Sequence, residues 1–463
     1  MATAPWFVIS PTALLSTIGL LRGPDRTVPT PTEDWRTAIV DVVIPAYKEE
    51  DNIVHCLASI ARQTRQPRHV ILVDDGGKDR TVERAREFAA AIGLDLTVIE
   101  RASSIGKTPT IKRQSREFDS DVEFILDGDT FLESRDYIER CVQELYQGVG
   151  IASACGVIEP VRLKDRAELA RTPEFQRWAG AAEYRDAHAQ RSLPRRIAWW
   201  MTNVYRECLY TFLQRFVYRG QMVFFGGITN PVGCAVAYRR QYVKNLFDRY
   251  EPIFGDDLTN SEDIFIGFAL NNEGYRNIQL QDVVARTEEP EAQRLPRQTY
   301  LWSSSFLQSC YYFDHLLRTP FRVFKRMRKN HRDQRSGEAQ RVAEMRKVQE
   351  QYRQPFGERF SQEYGRPIGW AMFLSALDKI FFPAALIIMM VLRMWEPLAV
   401  TIIAEMLVSL TVLVAVAKGA RLSMLGKALL VTPMRYVLMF LDLQTIGRFA
   451  TDLWITGNRK WRK

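Results

Sequence analysis

Val122-Glu123-Phe124-Ile125-Leu126-Asp127-Gly128-Asp129-Thr130 runs a mostly apolar segment straight into two carboxylates separated by a glycine. A strand is expected over Val122–Leu126, with the acidic pair at its carboxyl end. Two carboxylates so placed can hold a hard divalent cation that also binds a diphosphate, and Gly128 lets the backbone come close. D-x-D is a common triplet, so its weight comes from its neighbours.

Toward the N-terminus, short β-branched runs alternate with helical patterns: Ile39–Ile44, a helix from Asp51, Val70–Val73, a helix from Arg80, then Leu96–Glu100. This is the grammar of an α/β fold, a parallel sheet with crossover helices that binds ligands at the carboxyl ends of its strands. Two such ends precede the acidic pair, Pro45-Ala46-Tyr47-Lys48-Glu49-Glu50 and Asp74-Asp75-Gly76-Gly77. A carboxylate just past a buried strand can accept the imide N–H of a uracil, and Tyr47 can stack on its face. An Asp-Gly turn is usually only a turn. Together the two ends read as a nucleotide pocket.

Two other nucleotide folds fail on missing residues. Arg101-Ala-Ser-Ser-Ile-Gly106-Lys107-Thr108 ends like a phosphate loop but has Arg101 at the first glycine position, and no G-x-G-x-x-G opens the first helix. Lys107 is left to neutralise a diphosphate. Downstream, Ser261-Glu262-Asp263 leads into a helical pattern ending at Gly274; alone it is an N-cap with acidic first-turn residues. Beside a metal-bound nucleotide, Asp263 can instead deprotonate an acceptor hydroxyl, with Asp256 or Asp257 as runner-up.

Val43-Ile44-Pro45-Ala46-Tyr47, Asp74-Asp75-Gly76, Gly106-Lys107, Asp127-Gly128-Asp129 and Glu262-Asp263, in this order, resemble family 2 glycosyltransferases of GT-A (Rossmann-like) fold, among them the membrane synthases of hyaluronan, chitin and cellulose. The resemblance covers roughly residues 39 to 302. It implies that Asp75 and Tyr47 contact uracil, that Asp129 and Asp127 hold Mg²⁺ or Mn²⁺ and the diphosphate, and that Asp263 is the catalytic base. The run from Phe225 to Gly233-Cys234 resembles the acceptor floor, with Arg239 following a strand. Of the Q-x-x-R-W motif, Arg297 matches the arginine that faces the diphosphate. Arg294 stands at the glutamine position and Gln298 at the tryptophan that stacks on the acceptor sugar, so acceptor choice and processivity stay open unless Trp302 substitutes from a shifted register. Trp454-Ile-Thr456-Gly-Asn-Arg459 resembles a loosened W-G-T-R gating loop.

The 463-residue chain is 46% hydrophobic, which excludes bulk disorder. Its six cysteines lie far apart with no C-x-x-C pair, suggesting neither a zinc site nor a disulfide framework, and fitting a reducing compartment. Net charge is +9. With no basic stripe interleaved with aromatics, that charge points to membrane lipids or a polyanionic substrate rather than nucleic acid.

Trp6–Leu21 is apolar but interrupted by Pro11 and lacks a preceding basic residue, so a short membrane or interfacial helix is expected rather than a cleaved signal. The basic stretch Arg318–Arg366 reads as a solvated cytosolic helix rather than a lipid-headgroup site. Phe373–Leu392 and Leu398–Ala417 are of transmembrane length, and Asp378, Lys379 and Glu405 within them should face protein or polar cavities. Leu425–Leu441 has basic flanks on both sides, which implies an interfacial helix with Arg435 snorkelling. The expected divisions are a membrane-associated segment and linker over 1–35, a catalytic domain over 36–315, basic helices over 316–369, and transmembrane and interfacial helices over 370–463.

The combined expectation is an inverting transferase at the inner membrane, catalytic domain in the cytosol, moving sugar from a UDP-sugar to a growing polysaccharide. A lipid-linked acceptor and an inactive nucleotide-sugar-binding partner are the alternatives. So few spans imply that any exported polymer needs a homo-oligomer or a separate export protein.

Overall fold

The structure is a computed structural model, described for residues 10–22, 34–147, 150–180, 186–254, 261–336, 341, 358–417, 419 and 421–457. Eight strands form one sheet: β1 Val40–Ala46, β2 His69–Asp74, β3 Leu96–Glu100, β4 Val122–Leu126, β5 Thr130–Leu132, β6 Ile151–Pro160, β7 Ala235–Arg239 and β8 Arg276–Thr287. Their order is β3-β2-β1-β4-β7-β6-β8-β5.

The first half follows the expected grammar. β3, β2, β1 and β4 are parallel, with helices Ile53–Ala61, Thr81–Ile92 and Lys107–Glu117 in the crossovers. β1, β2 and β4 are almost wholly buried, which is why they read as continuous Val/Ile runs instead of alternating. Beyond β4, where the strand-helix alternation read from the sequence ends, the sheet becomes mixed: β7 runs antiparallel to both β4 and β6, and β5 antiparallel to β8. The physical reason is the connection. A long helical excursion, Leu193–Phe212 and Arg219–Phe225, separates β6 from β7, and strand direction after so long a detour is set by tertiary packing.

This mixed half positions the site. β5 pairs Thr130 with Thr287 of β8, and the Glu288 N–H donates to the Asp129 carbonyl at 3.1 Å. The acidic end of β4 is thereby held against Glu288-Glu289 at the end of β8.

The N-terminal helix Pro11–Arg22 lies on the helix Arg219–Phe225. A Cβ on Gly19 would stand 2.7 Å from the Gly220 carbonyl oxygen, and one on Gly220 would stand 2.6 Å from Ser16 Cα. Small residues let the two backbones meet.

Three C-terminal helices, Gly369–Val391, Trp395–Val416 and Arg421–Thr451, are long and apolar enough to cross a membrane. Asp378, Lys379, Glu405, Arg435 and Asp442 within them are buried against protein. Asp378 accepts the Thr12 N–H at 3.3 Å, at the start of the N-terminal helix. Lys379 Nζ lies 2.7 Å from Asp442 and 2.6 Å from the Ser303 hydroxyl. Arg435 corrects the snorkelling expectation, because it is 1% exposed and paired with Glu405 of the preceding apolar helix, beside Ser409 and Tyr436. With that partner in reach its guanidinium has no need of water, and the segment forms a long helix packed on the other two.

Removing one member of such a buried pair leaves the other uncompensated, at about 3–5 kcal/mol, whereas replacing both is often near neutral. Lys379→Met is therefore expected to lower the thermal-inactivation midpoint in detergent sharply, and Lys379→Met with Asp442→Leu to restore most of it. Equal losses would show that the pair is not an electrostatic couple.

Candidate active site

A cavity of about 290 Å³ opens at the carboxyl end of β4. Five segments meet there: Asp127 and Asp129 after β4, Lys107 at the start of its helix, Gly233-Cys234 before β7, Ser261–Asp263 opening the helix Glu262–Glu273, and Thr287–Glu289 after β8. The helix Leu295–Tyr312 closes it with Gln298, Leu301 and Trp302.

Lys107 joins three of these segments. Its Nζ lies 2.6 Å from Asp127 Oδ1, 2.7 Å from Glu262 Oε1 and 3.0 Å from the Gly233 carbonyl. Burial alone would lower its pKa, but the two carboxylates hold the ammonium well above the usual lysine range. The acids show the opposite strain. Burial, with the neighbouring charges of Asp129 and Glu262 added and Lys107 opposing, pushes Asp127 up to about 7. Asp129 rises to about 6, chiefly by burial. Glu49, across from Asp129, rises to about 9 through burial and then the Asp129 charge, and burial lifts Glu288 to about 8. So many carboxylates sharing a desolvated pocket favour the arrival of positive charge.

Asp263 is 6% exposed. Its Oδ1 accepts from the Ser261 hydroxyl at 2.6 Å and the Ile264 N–H at 2.8 Å; its Oδ2 accepts from the Gly233 N–H at 3.2 Å. The approach of the floor depends on glycine, since a Cβ on Gly233 would stand 2.7 Å from Asp263 Cβ. Asp256 and Asp257 lie outside the described residues.

Gln298 and Trp302 are one helical turn apart on the same face. The Arg206 guanidinium stacks over the Trp302 ring at 4.3 Å, donates to Gln298 Oε1, and lies 3.2 Å from Glu289. The Tyr210 hydroxyl donates to Glu289 at 2.5 Å. Arg206, Tyr210, Glu288 and Glu289 were not singled out from the sequence, and Glu262 only as a neighbour of Asp263. The available signal was Thr287-Glu288-Glu289-Pro290, a second acidic pair directly after a strand.

A second cavity, about 480 Å³, adjoins the first through Asp129, Glu288, Glu289 and Gln298. Its walls carry Lys48, Arg191, Arg294 and Arg297 beside Glu49. Arg294 and Arg297 thus stand near Asp129 but outside the cavity of Asp263.

Other expected site residues are placed elsewhere. Asp75 accepts from Arg101 at 2.9 Å, Ser104 at 2.6 Å, the Ile105 N–H at 3.0 Å and the Gly106 N–H at 2.9 Å. Its carboxylate is engaged in fixing the loop that delivers Lys107. Tyr47 is half exposed, with Lys48 Nζ 5.2 Å from its ring centre. Neither lines the two cavities. Arg239 is buried, its guanidinium 3.8 Å over the Tyr146 ring. Trp454 and Thr456 sit exposed at the end of the last helix, and Arg459 lies outside the described residues. Among the described residues, no three His, Cys, Asp or Glu side chains form an ion site by themselves.

Residues 41–247 match the family model described as Glycosyl transferase family 2. The chain is 30% identical over 122 residues to Glycosyltransferase AglE of Haloferax volcanii, covering 26% of this chain and 39% of that protein. It is 28% identical over 115 residues to the undecaprenyl-phosphate 4-deoxy-4-formamido-L-arabinose transferase of Pseudomonas fluorescens, covering 24% and 34%. The chain therefore spans well under half the length of these curated relatives. Among solved structures, the mannosyltransferase PcManGT from Pyrobaculum calidifontis, in complex with GDP-Man and Mn2+, superposes with a TM-score of 0.49 at 17% identity, over 96% of this chain and 94% of that one. With the family match spanning β1, β2, β4 and the Asp127-Gly128-Asp129 turn, the chain carries a glycosyltransferase family 2 domain.

Proposed function

We propose that the chain transfers a sugar, with inversion, from a UDP-sugar to a hydroxyl of a growing polysaccharide at a membrane. The observation that carries this reading is Asp263: a buried carboxylate, oriented by three donors, facing the same cavity as Asp127, Asp129 and Trp302. A sugar hydroxyl is a poor nucleophile until a base takes its proton, so such a carboxylate belongs with a hydroxyl acceptor. The transfer is one displacement. Asp263 takes the acceptor proton while Lys107 and Arg297 offset the charge that develops on the departing diphosphate.

Asp129 and Asp127 fit a hard cation. They offer only oxygen donors, in a pocket whose acids are pushed toward protonation, and they form a partial shell that phosphate oxygens and water would complete. Mg²⁺ or Mn²⁺ held there would supply Lewis-acid neutralisation of the diphosphate. Tyr47, exposed beside β1, offers a stacking face for uracil. Asp75 would receive the imide only by giving up part of its hold on the 101–106 loop.

A lipid-linked acceptor is the second reading, favoured by Lys48, Arg191, Arg294 and Arg297, four cations set among the carboxylates of the adjoining cavity, and by the polyprenyl-phosphate relative. A phosphate acceptor is already anionic and needs no base. The test is a panel of UDP- and GDP-sugars with UDP or GDP release and product sizing, using oligosaccharide and polyprenyl-phosphate acceptors in parallel. Turnover with GDP-sugars alone, or with the phosphate acceptor alone, would overturn the first reading.

Trp302→Ala should raise KM for a saccharide acceptor about threefold to tenfold, the worth of one aromatic contact, with donor KM unchanged. A matching rise in donor KM would remove Trp302 from the acceptor side.

A further inference from the structure

The basic stretch after Arg318 is expected from its composition to be a solvated helix. Its first described segment instead lies against the entrance of the first apolar helix. The helix Val323–Ser336 follows the turn Thr319–Arg322, and Phe321 of that turn packs edge-on against Phe373, ring centres 5.6 Å apart. Phe373 is in the first turns of Gly369–Val391, next to the partly exposed Trp370. An aromatic pair with a neighbouring tryptophan at the end of an apolar helix is the composition of a membrane–water boundary.

The helix is two-sided. Val323, Phe324 and Met327 fall on one side, within an arc of roughly 100° that also takes His331, and Lys325, Arg326, Arg328, Lys329 and Arg332 lie outside it. One flank is held to the segment Glu358–Tyr364: Lys325 lies 3.5 Å from Glu363, and Lys325 and Lys329 stand 5.3 and 5.0 Å from the Tyr364 ring centre. Arg322 adds hydrogen bonds to the Ser361 and Gln362 carbonyls. That clamp leaves Phe321 76%, Phe324 85% and Met327 62% exposed, flanked by exposed Arg328, while Arg332 lies on the side of Tyr364.

We propose that this face docks on the anionic phospholipid headgroups of the bilayer that the apolar helices enter, with Phe324 and Met327 dipping among the acyl ends and Arg328 meeting phosphates. The charge sign, the apolar tips between the cations, and the continuity through Phe321–Phe373 to a candidate span all favour a lipid layer over a soluble partner. The proposal goes beyond the transfer reaction and holds whichever sugar is transferred.

The test uses the full chain with Met327→Cys carrying an environment-sensitive fluorophore, reconstituted into phosphatidylcholine bilayers with and without phosphatidylglycerol. Glu87→Cys, on an exposed helix face far along the first half of the sheet, is the labelled control, and the unmodified chain gives the native-cysteine background. The probe at 327, unlike the one at 87, is expected to be quenched by lipids spin-labelled near the headgroup, more strongly with phosphatidylglycerol and less at high salt. Arg328→Gln should weaken the anionic preference roughly fivefold, the worth of about one cation near the surface, without changing UDP binding. Quenching equal at 327 and 87, or indifferent to lipid charge and to Arg328, would overturn the proposal. So would a blue shift at 327 that appears in detergent only with increasing protein concentration, which would assign the face to a second copy of the chain. Failure of the Glu87 control to co-float with vesicles would instead sink the membrane reading of the apolar helices.

Discussion

Asp263→Asn is expected to lower kcat on the order of 10²–10⁴-fold, the usual contribution of a general base, while UDP binding stays near that of the native chain. The substitution keeps shape and one acceptor oxygen, so the bonds from Ser261 and the Ile264 N–H can survive. The Gly233 N–H, now facing an amide, loses its partner. That costs about 1–3 kcal/mol if it stays unsatisfied, a stability change that a thermal melt reads separately from rate. Lys107 and Glu262 are untouched, so the charge around Asp127 is kept. Three outcomes separate the readings. Rate loss with nucleotide affinity retained supports a base acting on a hydroxyl. Collapse of UDP affinity makes Asp263 a structural residue of the Gly233 floor. A rate that scarcely changes means that the acceptor arrives already anionic, and the phosphate-acceptor reading takes over.

What the sequence made legible followed local physics. β3 and β4 match their expected bounds, and β1 and β2 fall within two residues of theirs; for β1, β2 and β4 the reason is that a buried parallel strand must be apolar along its length. Asp127 and Asp129 were visible because they interrupt such a run. What stayed hidden depended on distant partners. Glu262 looked like a helix-capping acid, yet it is held by Lys107 from another crossover. Glu288 and Glu289 gain their setting from the antiparallel pairing of β5 with β8, which alternation of strands and helices cannot reveal. Arg206 sits mid-helix, and only folding brings it over Trp302. Arg435 read as an interfacial cation because Glu405, its partner, lies 30 residues earlier on another helix. Gln298 and Trp302 also come together only in space, where helical periodicity puts both on one wall of the cavity.

Chelation is expected to abolish turnover, and Asp129→Ala to weaken UDP binding only when Mg²⁺ or Mn²⁺ is present. The argument runs through charge. Asp129 shares its pocket with Glu49 and Glu288, and burial already pushes all three toward protonation. A diphosphate entering such a pocket meets repulsion unless a cation bridges the two. Removing Asp129 therefore has two opposed effects. It deletes a ligand, which lowers affinity in the presence of metal. It also deletes a like charge, so without metal UDP affinity should stay level or rise slightly. Asp127→Ala should behave differently, because Asp127 is paired to Lys107 at 2.6 Å. Its loss frees that ammonium from one partner and leaves a cation available to the diphosphate even without metal. Isothermal titration of UDP into both variants, with chelator and with Mn²⁺, gives four affinities. If Asp129→Ala weakens binding equally in both conditions, Asp129 acts without a metal, and neutralisation of the diphosphate falls to Lys107 and the arginines of the adjoining cavity.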